Sequence, residues 1–228
     1  MGTQITFYGH AALGIKTEEH VLLVDPFFTG NPKSAGDEGT IDADYILVTH
    51  GHGDHLGDTI AIAKRTKAAV ICNTEIGDWL EQRGVKTFLM QVGGSAQLPF
   101  GRLSMTFAVH SSSLDDSTYG GNPAGFLLTT TQGEKIYLAG DTGLFGDMKL
   151  IGEEGIDLAT LPIGGKYTMD PVDALKAVEF IQPKVVIPIH YNTFDAIQQD
   201  AQAWKEMVES KTNSKVIILK PGEKIELK

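Results

Sequence analysis

Thr49-His50-Gly51-His52-Gly53-Asp54-His55 is the stretch that decides how this chain is read. Three imidazoles and a carboxylate fall within six positions, interrupted only by glycine. Histidine and aspartate ligate borderline divalent metals, and glycine lets a backbone bend so that neighbouring side chains converge. The segment before it, Asp44–Thr49, reads as a buried strand. The cluster therefore sits where a strand delivers the chain to a loop, and a metal site with chemistry at it is the first expectation.

The remaining histidines and one aspartate extend this pattern. His110 closes the expected strand Leu103–His110. Asp141 follows Lys135–Ala139 in Gly140-Asp141-Thr142-Gly143. His190 follows Lys184–Ile189. Each has an ordinary reading alone: a hydrogen-bonded strand-end histidine for His110, a turn aspartate for Asp141 and a core-edge imidazole for His190, just as Asp54 alone reads as a helix cap. Together with His50, His52 and His55 they line one cleft edge, where loops on a rigid scaffold carry function.

The rest of the chain supplies the scaffold. Gln4–Tyr8, Ala12–Thr17 and Val21–Asp25 read as short strands, and Asn31–Thr40 as a loop. Helices are expected at Leu56–Lys67, at Thr74–Arg83 closed by Gly84, and from Asp170-Pro171 to about Ile181. Ala69–Asn73, Thr87–Val92, Leu103–His110, Gly125–Thr131, Lys135–Ala139, Asp157–Pro162 and Lys184–Ile189 complete the central strands. Asp195, with Gln198 as capping-box partner, is expected to open a helix running to about Lys211. Lys215–Lys220 and Lys224–Leu227 close the chain as strands. The strand-to-helix ratio implies an α/β architecture: two mixed sheets sharing one core, with helices outside, over 1–228 as one domain.

Bulk properties narrow the function. The chain has 228 residues, 42% hydrophobic, with a net charge of -10. An acidic surface disfavours phosphate-backbone contacts, so no nucleic-acid partner is expected. No stretch reaches the ~18–20 apolar residues of a membrane span, and no signal peptide is read. Cys72 is the only cysteine, in the apolar run Ala68–Cys72. It reads as a buried core residue in a reducing, cytoplasmic compartment. The partner expected is a small-molecule substrate; homo-oligomerisation stays open.

The ordered set His-x-His-x-Asp-His, downstream His, Asp and late His resembles the metallo-β-lactamase superfamily, over nearly the whole chain. More narrowly it resembles the metal-dependent hydrolases of the UPF0173 type. Tyr8-Gly9-His10-Ala11-Ala12, Val24-Asp25-Pro26-Phe27, His110-Ser111-Ser112-Ser113, Pro162-Ile163-Gly164-Gly165 with Thr168-Met169, and Pro188-Ile189-His190-Tyr191-Asn192-Thr193-Phe194 carry that likeness. The resemblance implies a four-layer αββα sandwich. It implies that His50, His52 and His110 bind one metal, that Asp54, His55 and His190 bind a second, and that Asp141 bridges them. The cofactors implied are two divalent ions, zinc first, with manganese, nickel or iron as alternatives. The reaction implied is hydrolysis of an ester-like bond, a lactone or phosphoester, by a metal-bound hydroxide available near neutral pH.

Around this centre, His10 is expected beside the metals as a catalytic residue with Asp54: a hydrogen-bond partner, proton donor or substrate contact. Asp25 is expected to orient a ligand histidine, and His20 to lie at the surface. Lys166, Tyr191 and Asn192 are the candidate substrate contacts. Three other functions compete. A flavo-diiron redox protein usually carries Glu where this chain has His52. A non-catalytic descendant usually lacks ligands that are all present here. A nuclease or phosphodiesterase of the tRNA-processing type needs a basic arm that is not evident.

Overall fold

The computed structural model describes residues 2–227. Strands β1 (Gln4–Gly9), β2 (Ala12–Lys16), β3 (Val21–Val24), β4 (Tyr45–Leu47), β5 (Ala69–Asn73), β6 (Thr87–Met90) and β14 (Lys224–Glu226) form one sheet, in the order β14-β1-β2-β3-β4-β5-β6. Strands β7 (Ser95–Leu98), β8 (Gly101–Phe107), β9 (Ala124–Thr130), β10 (Lys135–Leu138), β11 (Leu158–Pro162), β12 (Val185–Ile189) and β13 (Lys215–Val216) form the other, in the order β13-β12-β11-β10-β9-β8-β7. Both are mixed. Antiparallel meanders (β14 through β3, and β7 through β10) give way to parallel runs (β3 through β6, and β10 through β13).

Alternation along the strands sorts side chains between two faces. Ile5, Phe7, Leu13, Ile15, Leu22 and Val24 of the first sheet meet Leu103, Met105, Phe126, Leu128, Leu138 and Ile187 of the second in one inter-sheet core. The outer face of the first sheet (Leu23, Ile46, Val70, Cys72) is covered by α2 (Thr59–Thr66) and α3 (Thr74–Glu81) through Ile62, Ile76 and Leu80. The outer face of the second (Tyr137, Ala159, Leu161, Val186) is covered by α4 (Met148–Glu153), α5 (Pro171–Ile181) and α6 (Ala201–Lys211) through Met148, Val178, Trp204 and Val208. The result is the four-layer α/β sandwich expected. Cys72 lies in the outer core of the first sheet, and burial pushes its thiol pKa up to about 12.

Several local expectations change. The helix read as Leu56–Lys67 is two pieces, α1 (Gly53–Leu56) and α2, because Gly57 turns to φ +42° against Pro26. A Cβ there would meet the Pro26 carbonyl oxygen at 2.5 Å. The helix assigned to an Asp195 cap begins later. Asp195–Ile197 is only a 3₁₀ turn, and Asp200 caps α6 by accepting from the Gln202 and Ala203 amides at 3.0 Å each. The strand read as Lys215–Lys220 pairs only over Lys215–Val216, and Pro188 of the neighbouring strand offers no N–H beyond that point. β7 and α4 had not been expected. β7 is an edge strand of exposed and half-buried residues, and α4 has six residues, so neither leaves a strong periodic signature.

Strand directions place the site. β1, β3 and β4 run parallel to one another, as do β8, β10 and β12. Their C-terminal ends reach one edge of the sandwich, where His10, Asp25, His50–His55, His110, Asp141 and His190 follow. The sheets are stitched together there: the His190 amide donates to the His10 carbonyl at 2.8 Å, and the Ala124 amide to the Thr49 carbonyl at 3.0 Å.

Candidate metal centre

The seven expected ligands converge. His50, His52 and His110 offer ring nitrogens within 4.8 Å of one another; the ligand atoms of His10, Asp54, His55 and His190 lie equally close together, as do those of His50, His55 and Asp141. The Asp141 carboxylate lies between the groups. Oδ1 is 3.3 Å from His55 Nε2, and Oδ2 is 3.0 Å from His190 Nε2 and 3.6 Å from His110 Nε2. Gly51 and Gly53 serve this loop by leaving room, not by adopting left-handed backbone. A Cβ on Gly51 would stand 3.0 Å from Leu114, and one on Gly53 3.1 Å from Asp115.

Left-handed backbone instead falls on residues with side chains: His10 (φ 59°), Asp25 (φ 44°), Lys166 (φ 40°), His190 (φ 54°) and Asn192 (φ 56°). Such conformations cost energy outside glycine and cluster at functional sites. Here they turn the chain sharply at strand ends, so that His10, Asp25 and His190 enter the cleft.

Asp25 organises the ligands without joining them. It is buried, and its Oδ1 accepts the Thr49 amide at 2.8 Å. Its Oδ2 accepts the Thr49 hydroxyl at 2.7 Å and His55 Nδ1 at 2.8 Å. A carboxylate only accepts, so His55 carries its proton on Nδ1. The Thr49 hydroxyl donates its one hydrogen to Asp25, so it accepts from His50 Nδ1 at 3.0 Å. One carboxylate thereby turns the Nε2 lone pairs of both His50 and His55 inward. At His52 the roles reverse. Nε2 faces Ser111 Oγ at 3.4 Å, and Nδ1 points to His50 Nε2 at 3.0 Å.

The electrostatics favour a cation. Burial lowers the pKa values of His50, His52 and His110, and the surrounding imidazoles add to this, so the cluster presents neutral rings. Burial also pushes His10 down to about 4. For His55, burial opposes charge, but the Asp141 and Asp25 carboxylates outweigh it and raise its pKa well above the ordinary value, so their negative field favours positive charge, a proton or a metal ion, at Nε2. Burial likewise opposes ionisation of Asp141 and of Asp54; neighbouring imidazoles, and the His10 hydrogen bond to Asp54, hold both carboxyls well below the usual range. His55 Nε2 and Asp141 Oδ1 are buried, face each other and have no hydrogen-bond partner. Orphaned polar atoms at this depth are costly. A cation held by both satisfies them, so the donor set fits divalent metal.

A sequence profile of the beta-lactamase superfamily domain matches residues 20–191. The chain belongs to this superfamily. It is 49% identical to a UPF0173 metal-dependent hydrolase of Methanosarcina barkeri, over the full length of both. It is 47% identical to one of Thermus thermophilus, covering 98% of this chain and 99% of that one. Among solved structures it superposes on Igni18, a metallo hydrolase from Ignicoccus hospitalis, with a TM-score of 0.92 at 36% identity, covering 100% of this chain and 99% of that one. By family, then, it is a metal-dependent hydrolase, and its αββα fold is that of the superfamily. Among the described residues no helix is long and apolar enough to cross a membrane.

The outer contacts of the hydrolase differ from expectation in two places. Tyr191 packs against the helix-side cluster of the second sheet. The Asn192 amide is engaged by Gln199, donating to its carbonyl at 2.9 Å and accepting its N–H at 2.7 Å. Neither is joined to the histidine cluster. Lys166 is exposed on the loop after β11, with its ammonium 5.1 Å from the Tyr167 ring. His20 is half-buried against Tyr45 and Phe100, away from the site. Thr49 and Ser112 were not singled out. Ser112 accepts the Gly51 amide at 3.0 Å and donates to the Gly120 carbonyl at 2.9 Å, which holds the ligand loop. Their type gave no signal; only a strand-end hydroxyl beside each ligand hinted at it.

Proposed function

We propose that this hydrolase holds two divalent cations and cleaves an ester-like bond, a lactone or phosphoester, in a small molecule. The observation that carries this reading is Asp141. Its single carboxylate reaches His110 of one histidine group and His55 and His190 of the other, as a ligand shared by two metals must. His50, His52 and His110 then hold one cation, Asp54, His55 and His190 the second, and Asp141 both. Borderline imidazole and carboxylate donors suit Zn²⁺ first, and also admit Mn²⁺, Ni²⁺ or Fe²⁺. Such ions supply Lewis acidity at the scissile oxygen and lower the pKa of water.

The protein's own groups do the rest. Asp54 is the carboxylate that water and substrate reach, its side chain 34% exposed against 4% for Asp141. It would orient the attacking water beside the scissile bond as well as bind metal. Lys166 offers a cation to an anionic substrate group. The net charge of -10 points to a small molecule over a nucleic acid, and the single buried cysteine suits a cytoplasmic enzyme.

The test is a screen of lactone, thioester, phosphomonoester and phosphodiester substrates with wild type and Asp141→Ala. Turnover of a lactone or phosphoester that falls about a thousandfold or more in the variant supports the reading. Turnover that survives the substitution refutes the role of Asp141.

A further inference from the structure

His10 is the one imidazole of the cluster with both ring nitrogens bonded to uncharged or carboxylate oxygen. Nδ1 lies 2.9 Å from Thr193 Oγ1 and Nε2 3.2 Å from Asp54 Oδ2. The ring is fixed on every side. It lies tilted on His190 with centroids 4.1 Å apart, and Phe27 and Phe194 meet it edge-on at 5.8 and 5.7 Å. His10 and Thr193 are both buried. By position alone His10 qualifies as a further metal ligand beside Asp54, His55 and His190. The hydrogen bonds decide otherwise.

We propose that Asp54 sets the tautomer of His10 and the Thr193 hydroxyl occupies its other ring nitrogen, which makes His10 a positioning residue for Asp54 and not a metal ligand. The ionised Asp54 carboxylate can only accept, so the ring proton sits on Nε2. Nδ1 then carries a lone pair, and the Thr193 hydroxyl donates to it. With a proton on one nitrogen and a hydrogen bond on the other, the ring has no lone pair for a cation. One oxygen of Asp54 is committed to His10, and that bond sets where the carboxylate points. Because the His190 amide donates to the His10 carbonyl, the same residue ties together Asp54 and His190, two ligands of the proposed second metal. Thr193 thus acts on the metal through two intervening groups. This inference rests on the two-metal reading above.

Nitrogen-15 NMR of the Zn²⁺-loaded full chain reads the tautomer directly, with the His10 signals identified by their loss in His10→Asn. The expected result is a proton on Nε2 and an unprotonated Nδ1. A proton on Nδ1 with a metal-shifted Nε2 would make His10 a ligand and overturn the inference. Competition with a zinc chelator gives the second readout. Thr193→Val is expected to weaken one zinc equivalent about 10- to 100-fold and leave the other in place, with Thr193→Ser restoring wild-type affinity. Unchanged affinities in Thr193→Val, or an equal loss of both equivalents, count against it. Should Thr193→Val fail to fold, the wild-type tautomer and Thr193→Ser still decide. Fewer than two zinc ions on wild type would refute the dinuclear reading, while the NMR result on the same sample judges His10 independently.

Discussion

Asp25→Asn is the perturbation whose consequences the structure sets out most fully. The change is isosteric and touches no proposed ligand atom. It replaces one acceptor oxygen by an NH₂ group. Oδ1 can still accept the Thr49 amide, but the Oδ2 position now presents donors to His55 Nδ1–H and to the Thr49 hydroxyl, which stood 2.8 and 2.7 Å from it. His55 relieves the clash by moving its proton to Nε2, which removes the lone pair aimed at the cleft. A hydrogen bond to a charged group is worth about 1.5–3 kcal/mol. Taking about 2 kcal/mol at His55, the metal it helps to hold is weakened about 30-fold. At His50 the effect passes through the neutral Thr49 hydroxyl, worth about 1 kcal/mol, so that metal is weakened about fivefold. Chelator competition on the zinc-loaded proteins measures both constants. An asymmetric loss, larger for the His55 metal, is expected. If both affinities stay within about twofold of wild type, Asp25 does not set the ligand tautomers and the reasoning is wrong.

Other consequences follow from burial and capping. His10 is held down to about 4 by burial, against 6.5 when unfolded. The unfolded chain therefore binds more protons between these values, and metal-free protein should lose stability as pH falls from about 6.5 to 4. His10 contributes about 3 kcal/mol; denaturant melts of wild type and His10→Asn across that range check it, and equal pH slopes would contradict it. Cys72, its thiol pushed up to about 12 in the outer core, should resist iodoacetamide at pH 8 in the native state and react fully in denaturant, as mass spectrometry would show. Asp200→Ala should cost about 1 kcal/mol of stability and Asp195→Ala much less, because only Asp200 caps α6. A larger loss for Asp195→Ala would restore the helix start inferred from sequence.

What the sequence made legible, and what it did not, has a physical pattern. The candidate ligands were legible because metal chemistry restricts residue type: His50, His52, His110, Asp141 and His190 follow strand ends, Asp54 and His55 lie in the short helix α1 just beyond one, and the structure brings all seven together. Strands such as β5 and β12 were legible because burial on both faces demands unbroken apolar runs. The Asp170-Pro171 cap was legible for the same kind of reason, since only a few residues do that work. The groups that orient the ligands were mostly hidden. Thr49, Ser112 and Thr193 are hydroxyls whose meaning comes from partners one, 61 and 183 positions away. Asn192 and Tyr191 adjoin His190 in sequence, but the structure ties them to Gln199 and to the helix-side apolar cluster, partners of which the sequence carries no sign. The α6 start misled because Asp195 and Asp200 compete as caps, and local sequence alone does not separate them.

The central claim is that Asp141 is shared between two metal ions. Its most direct test is metal stoichiometry. Purified chain is stripped with chelator, reloaded with Zn²⁺, dialysed and analysed by inductively coupled plasma mass spectrometry, beside Asp141→Ala treated alike. The structure predicts about two zinc ions per wild-type chain and less than about one in the variant, whose two histidine groups have lost their common carboxylate. One zinc or fewer on wild type, or two retained in Asp141→Ala, would contradict the account.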